Sequence, residues 1–533
     1  MTSRVHASCL VGLTARPVEV EVHLGSGLPG LDMVGLPEAA VRESRVRVRA
    51  ALAGVGFAMP PKHVILNLAP ADLKKRGASF DLAIAVALLV AGGACAPNLL
   101  DTTLFLGELS LSGELRAVRG LLPLLEGARR IGLTRAIVPA ACELEASWAR
   151  SLDVRVARTL AEVVEMLSGT RELPRARAAL SIDVVASTGP DLADVHGQPA
   201  ARRALEIAAA GGHPLLLVGP PGAGKTMLAR RLPGILPPPT EQERIEIASI
   251  ASAAGLAVTG ERPFRAPHHT ASTAAIVGGG DPVRPGEVTL AHGGVLFLDE
   301  LPELARPSIE ALRTTMELGI AAVARVNERV VMPARPLLIA AMNPCPCGYA
   351  GDRTRDCTCP PSRIESYRAR ISGPIVDRFD LHVMLPKVAI GSLRVRGTSE
   401  SSAIVRARVL RARERALRTG TMGADGRAAP ITIERSLDAL NGDARSLVER
   451  AGDRLGLSLR GLGRALAVAR TIAHLDETDR VSAAHVAEAL GYRLLDRRAP
   501  QRRLMDPRVH GEHEGISETT VNDSEREGEE TCP

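Results

Sequence analysis

Aromatic side chains are scarce in this chain: six Phe, three Tyr and one Trp make up 2% of its 533 residues. Proteins that hold single-stranded nucleic acid mainly by stacking its bases need several aromatic rings along the groove. So few rings argue against base stacking as the main means of holding such a strand.

Long apolar runs are absent as well. The longest uncharged stretch, residues 82–100, is interrupted by Gly92-Gly93 and Pro97-Asn98. These leave about 10 usable positions, where a membrane-spanning helix needs about 20. The residues after Met1 are too polar for the core of a signal peptide. We therefore expect a soluble, cytoplasmic protein with no membrane partner, in which this stretch forms a buried helix and its turn.

Cysteine is sparse too, with eight residues in the chain, too few for a disulfide scaffold. Four of them form two close pairs, Cys345-Pro346-Cys347 and Cys357-Thr358-Cys359. Four thiolates on a tight loop can hold a tetrahedral, structural Zn²⁺, because they leave no open coordination position. The spacing is not the commoner CxxC, so two interpretations stay open: a zinc site or reduced loop thiols.

Neither sign of charge dominates: 66 basic residues stand against 60 acidic ones, giving a net charge of +6 and a pI near 9.0. This balance permits a nucleic-acid partner but does not require one. Hydrophobic residues at 45% and charged residues at 24% exclude a fully disordered chain. The length predicts about three to four domains.

Composition divides the chain into five segments. Residues 1–168 and 191–388 alternate β-type apolar runs with helical periods, which is typical of α/β domains. Residues 169–190 between them predict a linker. Amphipathic helices dominate 389–499, for example over 458–474, and the Glu/Ser/Thr-rich residues 500–533 predict a disordered tail.

The strongest motif follows the apolar run Leu215–Val218. It consists of Gly219, Pro220, Pro221, Gly222, Ala223, Gly224, Lys225 and Thr226. A strand that feeds a glycine-rich turn and then opens a helix is the context of a phosphate-binding loop. Backbone N–H groups would surround the phosphates of ATP, Lys225 would reach the β and γ oxygens, and Thr226 would ligate Mg²⁺.

Two further apolar runs end in polar residues. Val295–Leu298 is followed by Asp299 and Glu300, and residues 337–341 lead into Met342-Asn343. Acid pairs after apolar runs are common, but together with the phosphate loop this pair predicts an NTPase. Asp299 would hold Mg²⁺ through water, and Glu300 would polarise the attacking water.

The order of these motifs resembles that of the magnesium-chelatase-like AAA+ ATPases and, within them, the YifB/ComM group. Besides the phosphate loop, the likeness is carried by residues 286–292 (GEVTLAH), 295–300 (VLFLDE), 341–348 (AMNPCPCG), 372–374 (SGP) and 377–380 (DRFD). It implies an α/β fold with a Lon-protease-like (S5-type) N-terminal domain, an AAA+ core and a helical lid. It also implies ATP and Mg²⁺ as cofactors and a homo-oligomeric ring, which we expect to be a hexamer.

The same resemblance implies roles for residues beyond the phosphate loop. Asn343 would sense the γ-phosphate and position water. Arg378 would enter the neighbouring subunit's site as an arginine finger that stabilises transition-state charge. An alternative stays open for Arg378, a structural salt bridge with Asp377 or Asp380.

The helical region holds one more candidate for the nucleotide. Residues 458–464 (SLRGLGR) begin a helix with two arginines on nearly one face. The resemblance implies that one of them, Arg460 rather than Arg464, touches the γ-phosphate from the lid.

The N-terminal domain lacks part of a protease site. Lon-like proteases use a Ser nucleophile that is activated by a Lys. Ser79 lies near the position of the nucleophile, but Leu122 stands at the place of the lysine. A Ser without its base is a weak nucleophile, which argues against proteolysis. We expect a docking or DNA-contacting collar on the ring instead.

Residues 263–270 (PFRAPHHT) suggest a metal site at His268 and His269. Adjacent residues project to different sides in regular structure, and no third ligand is spaced nearby. We therefore expect an inserted loop or hairpin that faces the pore of the ring.

Two basic stretches bear on a DNA partner. The first comprises Arg42, Arg45, Arg47 and Arg49; the second comprises Arg394, Arg396, Arg406, Arg408, Arg411, Arg413, Arg415 and Arg418. Each is compatible with a solvated helix face and with contacts to DNA phosphates that select no sequence. The family resemblance favours DNA.

These features predict an AAA+ ATP hydrolase that remodels DNA, by branch migration or helicase activity, in recombination of incoming DNA as in natural transformation. A metal-chelatase motor subunit is one alternative, against which stand the N-terminal domain and the lack of an Asp-x-Ser-x-Ser segment. A protein-remodelling chaperone is the other.

Overall fold

A computed structural model describes residues 2–97, 99–177, 189–325, 328–352, 355–371, 373–387, 399–423, 426–428, 437, 440–455 and 457–493. Arg394, Arg396, residues 178–188 of the predicted linker and the predicted tail at 500–533 lie outside these residues.

A seven-stranded sheet forms the N-terminal part of the chain. The strands here are β1 (Thr2–Val11), β2 (Thr14–Gly25), β3 (Gly30–Val34), β4 (His63–Ala69), β5 (Thr103–Phe105), β6 (Glu108–Leu109), β7 (Leu115–Arg116), β8 (Arg135–Pro139) and β9 (Asp153–Ala157). The sheet order is β3-β4-β2-β1-β5-β8-β9, and β6 pairs with β7 separately. Val18, Val20 and Val22 of β2 are buried in alternation, the period of 2 that predicts a strand at this position.

Five helices accompany this sheet: α1 (Ala39–Gly54), α2 (Asp81–Ala91), α3 (Leu121–Arg130), α4 (Glu143–Ala146) and α5 (Leu160–Leu167). Every residue of α2 is buried, which confirms the helix expected within residues 82–100. None of the helices in the described part of the chain combines the length and apolar character that crossing a membrane requires.

A five-stranded parallel sheet holds the phosphate loop. Its strands are β10 (Leu215–Val218), β11 (Phe264–Arg265), β14 (Val295–Leu298), β17 (Leu337–Met342) and β18 (Leu381–Met384), in the order β11-β14-β17-β10-β18. The short pairs β12 (Gly278–Gly279) with β13 (Arg284–Pro285) and β15 (Ile320–Arg325) with β16 (Glu328–Pro333) lie outside it. All residues of β10, β14 and β17 are buried, as in a parallel sheet whose two faces are covered.

Helices of this α/β unit are α6 (Pro199–Gly211), α7 (Lys225–Ala229), α8 (Glu241–Ala254), α9 (Thr273–Val277), α10 (Glu287–Leu290), α11 (Arg306–Leu318), α12 (Pro361–Ala369) and α13 (Gly373–Val376). Four more follow: α14 (Ser402–Arg418), α15 (Gly442–Leu455), α16 (Leu459–Leu475) and α17 (Ala483–Gly491). Ser458 caps α16 by accepting a hydrogen bond from the Gly461 N–H at 3.0 Å, and this fixes the start of the helix expected at 458–474. The last helices share one apolar core with α6.

The N-terminal part docks on the end of α8. Arg119 donates to the carbonyl groups of Ala253 at 3.0 Å and Ala254 at 2.7 Å. Next to it, the Leu122 N–H donates to Glu145 Oε1 at 2.8 Å. The Leu122 side chain, which the resemblance puts at the place of the protease lysine, is buried in a core that includes Ala248 of α8, so this position supplies packing at a domain junction.

The first residues of the predicted linker are ordered against the N-terminal sheet. The Val156 N–H donates to the Pro174 carbonyl at 2.9 Å, and the Ala176 N–H donates to the Val154 carbonyl at 2.8 Å. These bonds extend the sheet beyond β9 by a short edge segment. A composition rich in Arg and Pro gives no sign of such pairing.

Candidate nucleotide-binding site

The loop between β10 and α7 turns back on itself through two left-handed glycines, Gly222 (φ 78°) and Gly224 (φ 87°). A side chain at either position would strain the backbone. Gly219 must be small for another reason, since a Cβ there would lie 2.7 Å from the Leu385 carbonyl oxygen. The backbone therefore wraps a small volume immediately before α7, as the motif predicts.

Lys225 is held inside this loop. Its Nζ donates to the carbonyls of Gly219 at 2.7 Å and Pro220 at 3.1 Å, and to Asn343 Oδ1 at 3.0 Å. Burial lowers the pKa of the Lys225 ammonium, against the raising effect of the Asp299 charge. The predicted cation and the predicted sensor Asn343 are thus in direct contact.

Two oxygen ligands suited to Mg²⁺ lie together at the strand ends. Thr226 Oγ1 donates to Asp299 Oδ2 at 2.9 Å, and the other carboxylate oxygen accepts from the Glu300 N–H at 2.9 Å. Hard divalent cations prefer a hydroxyl and a carboxylate of this kind. The residues present therefore fit the metal that the motif implies.

Glu300 is paired with His269, a contact that sequence analysis missed. The two side chains approach to 2.9 Å between Glu300 Oε2 and His269 Nδ1, and Glu300 has a positive φ of 51°. The rings of His268 and His269 lie 4.2 Å apart, so the argument that adjacent residues must point apart is wrong for this loop. The preceding residues, Phe264–Arg265, are strand β11 of the five-stranded sheet, and the loop after them reaches Glu300.

The four cysteines follow Asn343 and come together. Sγ of Cys345 lies 3.3 Å from that of Cys347 and 3.6 Å from that of Cys357. With Cys359 included, all four sulfur atoms lie within 4.8 Å of one another. The spacing suits four ligands of one tetrahedral ion.

A cavity of about 380 Å³ lies between the phosphate loop, the Asp299-Glu300 pair and the end of β17. It is lined by Pro221, Gly222, Ala223, Gly224, Lys225, Thr226, Met227, Asp299, Glu300, Met342 and Asn343. Arg378 and Arg460 are not among the lining residues.

Arg378 lies in a separate cationic cluster. It forms an ion pair with Glu317 of α11, whereas the alternative left open for it is a salt bridge with Asp377 or Asp380; neither pairs with Arg378 among the described residues. Burial, followed by the charges of Arg464 and Arg460, lowers the pKa of Arg378 to about 10. In the described part of the chain, Arg378 Nε has no hydrogen-bond partner.

Arg460 and Arg464 differ in their surroundings. Arg464 donates to Asp380 Oδ1 at 2.9 Å, while the other carboxylate oxygen is 2.8 Å from His213 Nδ1. Burial alone would raise the pKa of Asp380, but the His213 hydrogen bond and the Arg464 charge lower it. Arg460 is exposed at the start of α16. Of the two arginines, Arg464 is therefore the one that forms an ion pair within its own chain.

Comparison with known families and proteins agrees with this architecture. The family described as "Subunit ChlI of Mg-chelatase" matches residues 20–142, "Magnesium chelatase, subunit ChlI" matches 191–393, and "Magnesium chelatase, subunit ChlI C-terminal" matches 399–493.

Similar proteins match over nearly the whole chain. Competence protein ComM of Haemophilus influenzae is 44% identical over 503 residues, covering 92% of this chain and 97% of the relative. The YifB protein of Escherichia coli is 43% identical over 502 residues, covering 93% and 97%. A Mycobacterium tuberculosis protein is 42% identical over 499 residues, covering 92% and 98%. With this coverage, the chain belongs to the magnesium-chelatase-like AAA+ ATPases, in the YifB/ComM group.

Proposed function

We propose that this protein forms a ring that couples ATP hydrolysis to the remodelling of DNA. The observation that carries the ATPase part is the convergence of Lys225, Thr226, Asp299, Glu300 and Asn343 on one cavity. The similarity to Competence protein ComM of Haemophilus influenzae supports the DNA part. Branch migration or helicase activity during recombination of incoming DNA is the specific activity we propose here.

Each side chain at the cavity has a task that suits its position. Lys225 exchanges its carbonyl partners for phosphate oxygens, and Thr226 with Asp299 holds Mg²⁺, which neutralises phosphate charge when bound. Glu300 takes the role of orienting and polarising the attacking water. Asn343, already in contact with Lys225, reports whether the γ-phosphate is present.

In this proposal Arg378 and Arg460 contact nucleotide only once subunits have assembled into a ring. Because neither lines the cavity of its own chain, we assign Arg378 to the nucleotide of a neighbouring subunit in a hexamer. Arg460, exposed on the lid, is assigned to the γ-phosphate. The ion pair between Arg378 and Glu317 then has to open when the subunits meet.

We also propose one structural Zn²⁺ per chain on the four cysteines. The support is their mutual approach, all four sulfur atoms within 4.8 Å. Reduced loop thiols, the alternative, give no reason for all four sulfur atoms to converge, whereas a tetrahedral ion uses all four.

The test is the rate of ATP hydrolysis with and without forked or three-stranded DNA. We expect DNA to raise the rate of the wild-type chain and Lys225→Ala to be inactive in both conditions. Stimulation by an unfolded protein, but not by DNA, would favour a chaperone and overturn the DNA assignment. Native mass measurement of the same sample with ATP checks the hexamer.

A further inference from the structure

Helix α1 presents an arginine face to solvent. Arg42, Arg45 and Arg49 are spaced i, i+3 and i+7, which places them on one side of a helix, and all three are exposed. Val48 and Leu52 lie on the other side and are buried in the N-terminal core. The helix is therefore fixed by its apolar side with these arginines turned outward.

Among the residues that the structure describes, these three arginines have no acidic partner, in contrast to their neighbour. Arg47 forms an ion pair with the buried Asp81 at 2.7 Å. The one side-chain bond found in the outward set runs from Arg45 Nε to the Arg42 carbonyl at 3.2 Å, and none of the three forms an ion pair with a described residue. Arg42, Arg45 and Arg49 thus keep their charge available, and Arg47 does not.

A groove beside α1 adds a fourth cation. It has a volume of about 270 Å³, and Arg45, Arg49 and the exposed Lys62 are its charged lining residues. No Asp or Glu lines it. The acid closest in sequence on the adjoining strand, Asp32, is 3.0 Å from His63. Among the described residues, the charged groups that an anion in this groove would meet are all positive.

The second basic stretch has the opposite character. On α14, Arg408 pairs with Glu400 at 2.6 Å, Arg411 with Glu477 at 3.1 Å and Arg415 with Asp479 at 2.9 Å. A phosphate approaching these three arginines would meet neutralised pairs. Among the described residues, α1 is the stretch that presents three exposed arginines outside any ion pair, and Arg394 and Arg396 of the second stretch lie outside those residues.

We propose that Arg42, Arg45 and Arg49, with Lys62, form a surface that contacts the phosphodiester backbone of DNA. This rests on the proposed function and adds the place where DNA is held. From Arg42 to Arg49 the helix rises about 10 Å, which equals about three axial steps of 3.4 Å along one DNA strand. Such contacts position DNA without selecting a sequence, as remodelling of arbitrary DNA requires.

The test compares two full-length variants with equal loss of charge. One carries Arg42→Gln, Arg45→Gln and Arg49→Gln; the control carries Arg411→Gln, Arg415→Gln and Arg418→Gln. Binding of a fluorescent forked duplex is measured from about 50 to 200 mM salt, together with basal ATP hydrolysis and thermal melting.

We expect the α1 variant to bind at least about tenfold more weakly, with a salt slope shallower by about 2 to 3, because each lost phosphate contact removes about 0.9. Its basal hydrolysis stays at the wild-type rate, and the control variant binds like wild type. The single variant Lys62→Gln should make the salt slope shallower by about 0.9. It tests the proposal if the triple variant misfolds.

Three outcomes overturn the proposal. Equal losses in both triple variants would mean that net charge acts, not this face. Wild-type binding by the α1 variant would place DNA elsewhere and leave the proposed function standing. Failure of the wild-type chain to bind DNA, with binding to polyglutamate at the same salt, would assign the face to an acidic protein and overturn the proposed function too.

Discussion

At the scale of single residues, Lys225 has the most definite role. Its ammonium group donates to three oxygen acceptors, the carbonyls of Gly219 and Pro220 in the loop and Oδ1 of Asn343. We expect Lys225→Ala to raise the Kd for ATP at least about tenfold, since hydrogen bonds to a charged group contribute about 1.5–3 kcal/mol. Titration with a fluorescent ATP analogue measures this, with the exposed Lys74→Ala as control. Equal affinity in both variants would contradict the site assignment.

The contact of His269 with Glu300 shows what sequence reasoning could and could not find. The motif identifies Glu300 but gives no partner for it. The partner follows from strand pairing: Phe264 of β11 stands beside Val295 of β14, so the loops after these two parallel strands leave the same edge of the sheet. A two-residue strand such as β11 has too little periodicity to be predicted.

At the scale of elements, the cysteine loop connects the proposed zinc site to the phosphate loop. It runs on from Asn343, and Gly348 within it has φ 88°, with space for a Cβ blocked at 2.5 Å by Pro221. The loop therefore rests directly on the phosphate loop. A change in the conformation of the cysteine loop should therefore weaken ATP binding.

The zinc prediction follows from this placement. Protein purified without chelators should carry up to one Zn²⁺ per chain, measured by elemental analysis. Cys345→Ser with Cys357→Ser should lose the metal and weaken ATP binding, while Cys532→Ser should do neither. Wild-type protein that contains no zinc would contradict the proposal of a zinc site on the four cysteines.

Strand β18 predicts a pH dependence of stability. His382 is 1% exposed, and burial together with the Arg493 charge lowers its pKa to about 4. The unfolded chain, with a His pKa of about 6.5, takes up the proton first as pH falls. Stability from this group is therefore complete above about pH 6.5 and falls by about 1.4 kcal/mol per unit toward pH 4.

Removing the titrating group should remove this slope. We expect the melting temperature of His382→Gln to depend less on pH than that of the wild-type chain between pH 6.5 and 4. The difference in melting temperature between the wild-type chain and His382→Gln should therefore become smaller as pH falls. Parallel curves for both chains would contradict the prediction.

Helices and strands with strong periodicity could be predicted from the sequence, and charge arrangements could not. The α16 helix and the strands around the phosphate loop lie where their apolar patterns and caps predict them. The two arginine stretches looked alike because their distinction depends on acids distant in the chain, such as Glu477 and Asp479 opposite α14. The strand-like pairing of residues 174–176 could not be predicted either. An edge segment of this kind pairs through its backbone, so its side chains carry no signal of the pairing.

At the scale of the whole molecule, the N-terminal part contacts the ATPase part at helix α8. Arg119 holds the carbonyl end of α8, and Trp148 lies under the Arg244 guanidinium at 5.2 Å. A movement of α8 during the ATPase cycle would carry this junction with it. The arginine face of α1 belongs to the same N-terminal body, so DNA held there would follow.

The ring itself is tested by Arg378, which contacts Glu317 in its own chain. If Arg378 completes a neighbour's site, Arg378→Ala protein should still bind ATP through Lys225 and Thr226. Hydrolysis should fall by about 10³–10⁵, the contribution of an arginine finger in related phosphoryl transfers. Glu317→Gln is the matched control, since it removes the ion pair and leaves the arginine in place, and it should keep most of the activity.

Mixing distinguishes action between subunits from action within one. When Arg378→Ala chains are mixed with Glu300→Gln chains, some interfaces pair an intact Glu300 with an intact Arg378 from the other chain, and hydrolysis should return in part. A residue that acts within its own chain cannot be rescued, because every chain keeps its own defect. Native mass measurement must show that mixed rings assemble, since a failure to oligomerise would also abolish activity. Assembled mixed rings without recovered hydrolysis would return Arg378 to the structural pair with Glu317, and the ATPase would then be complete within one chain.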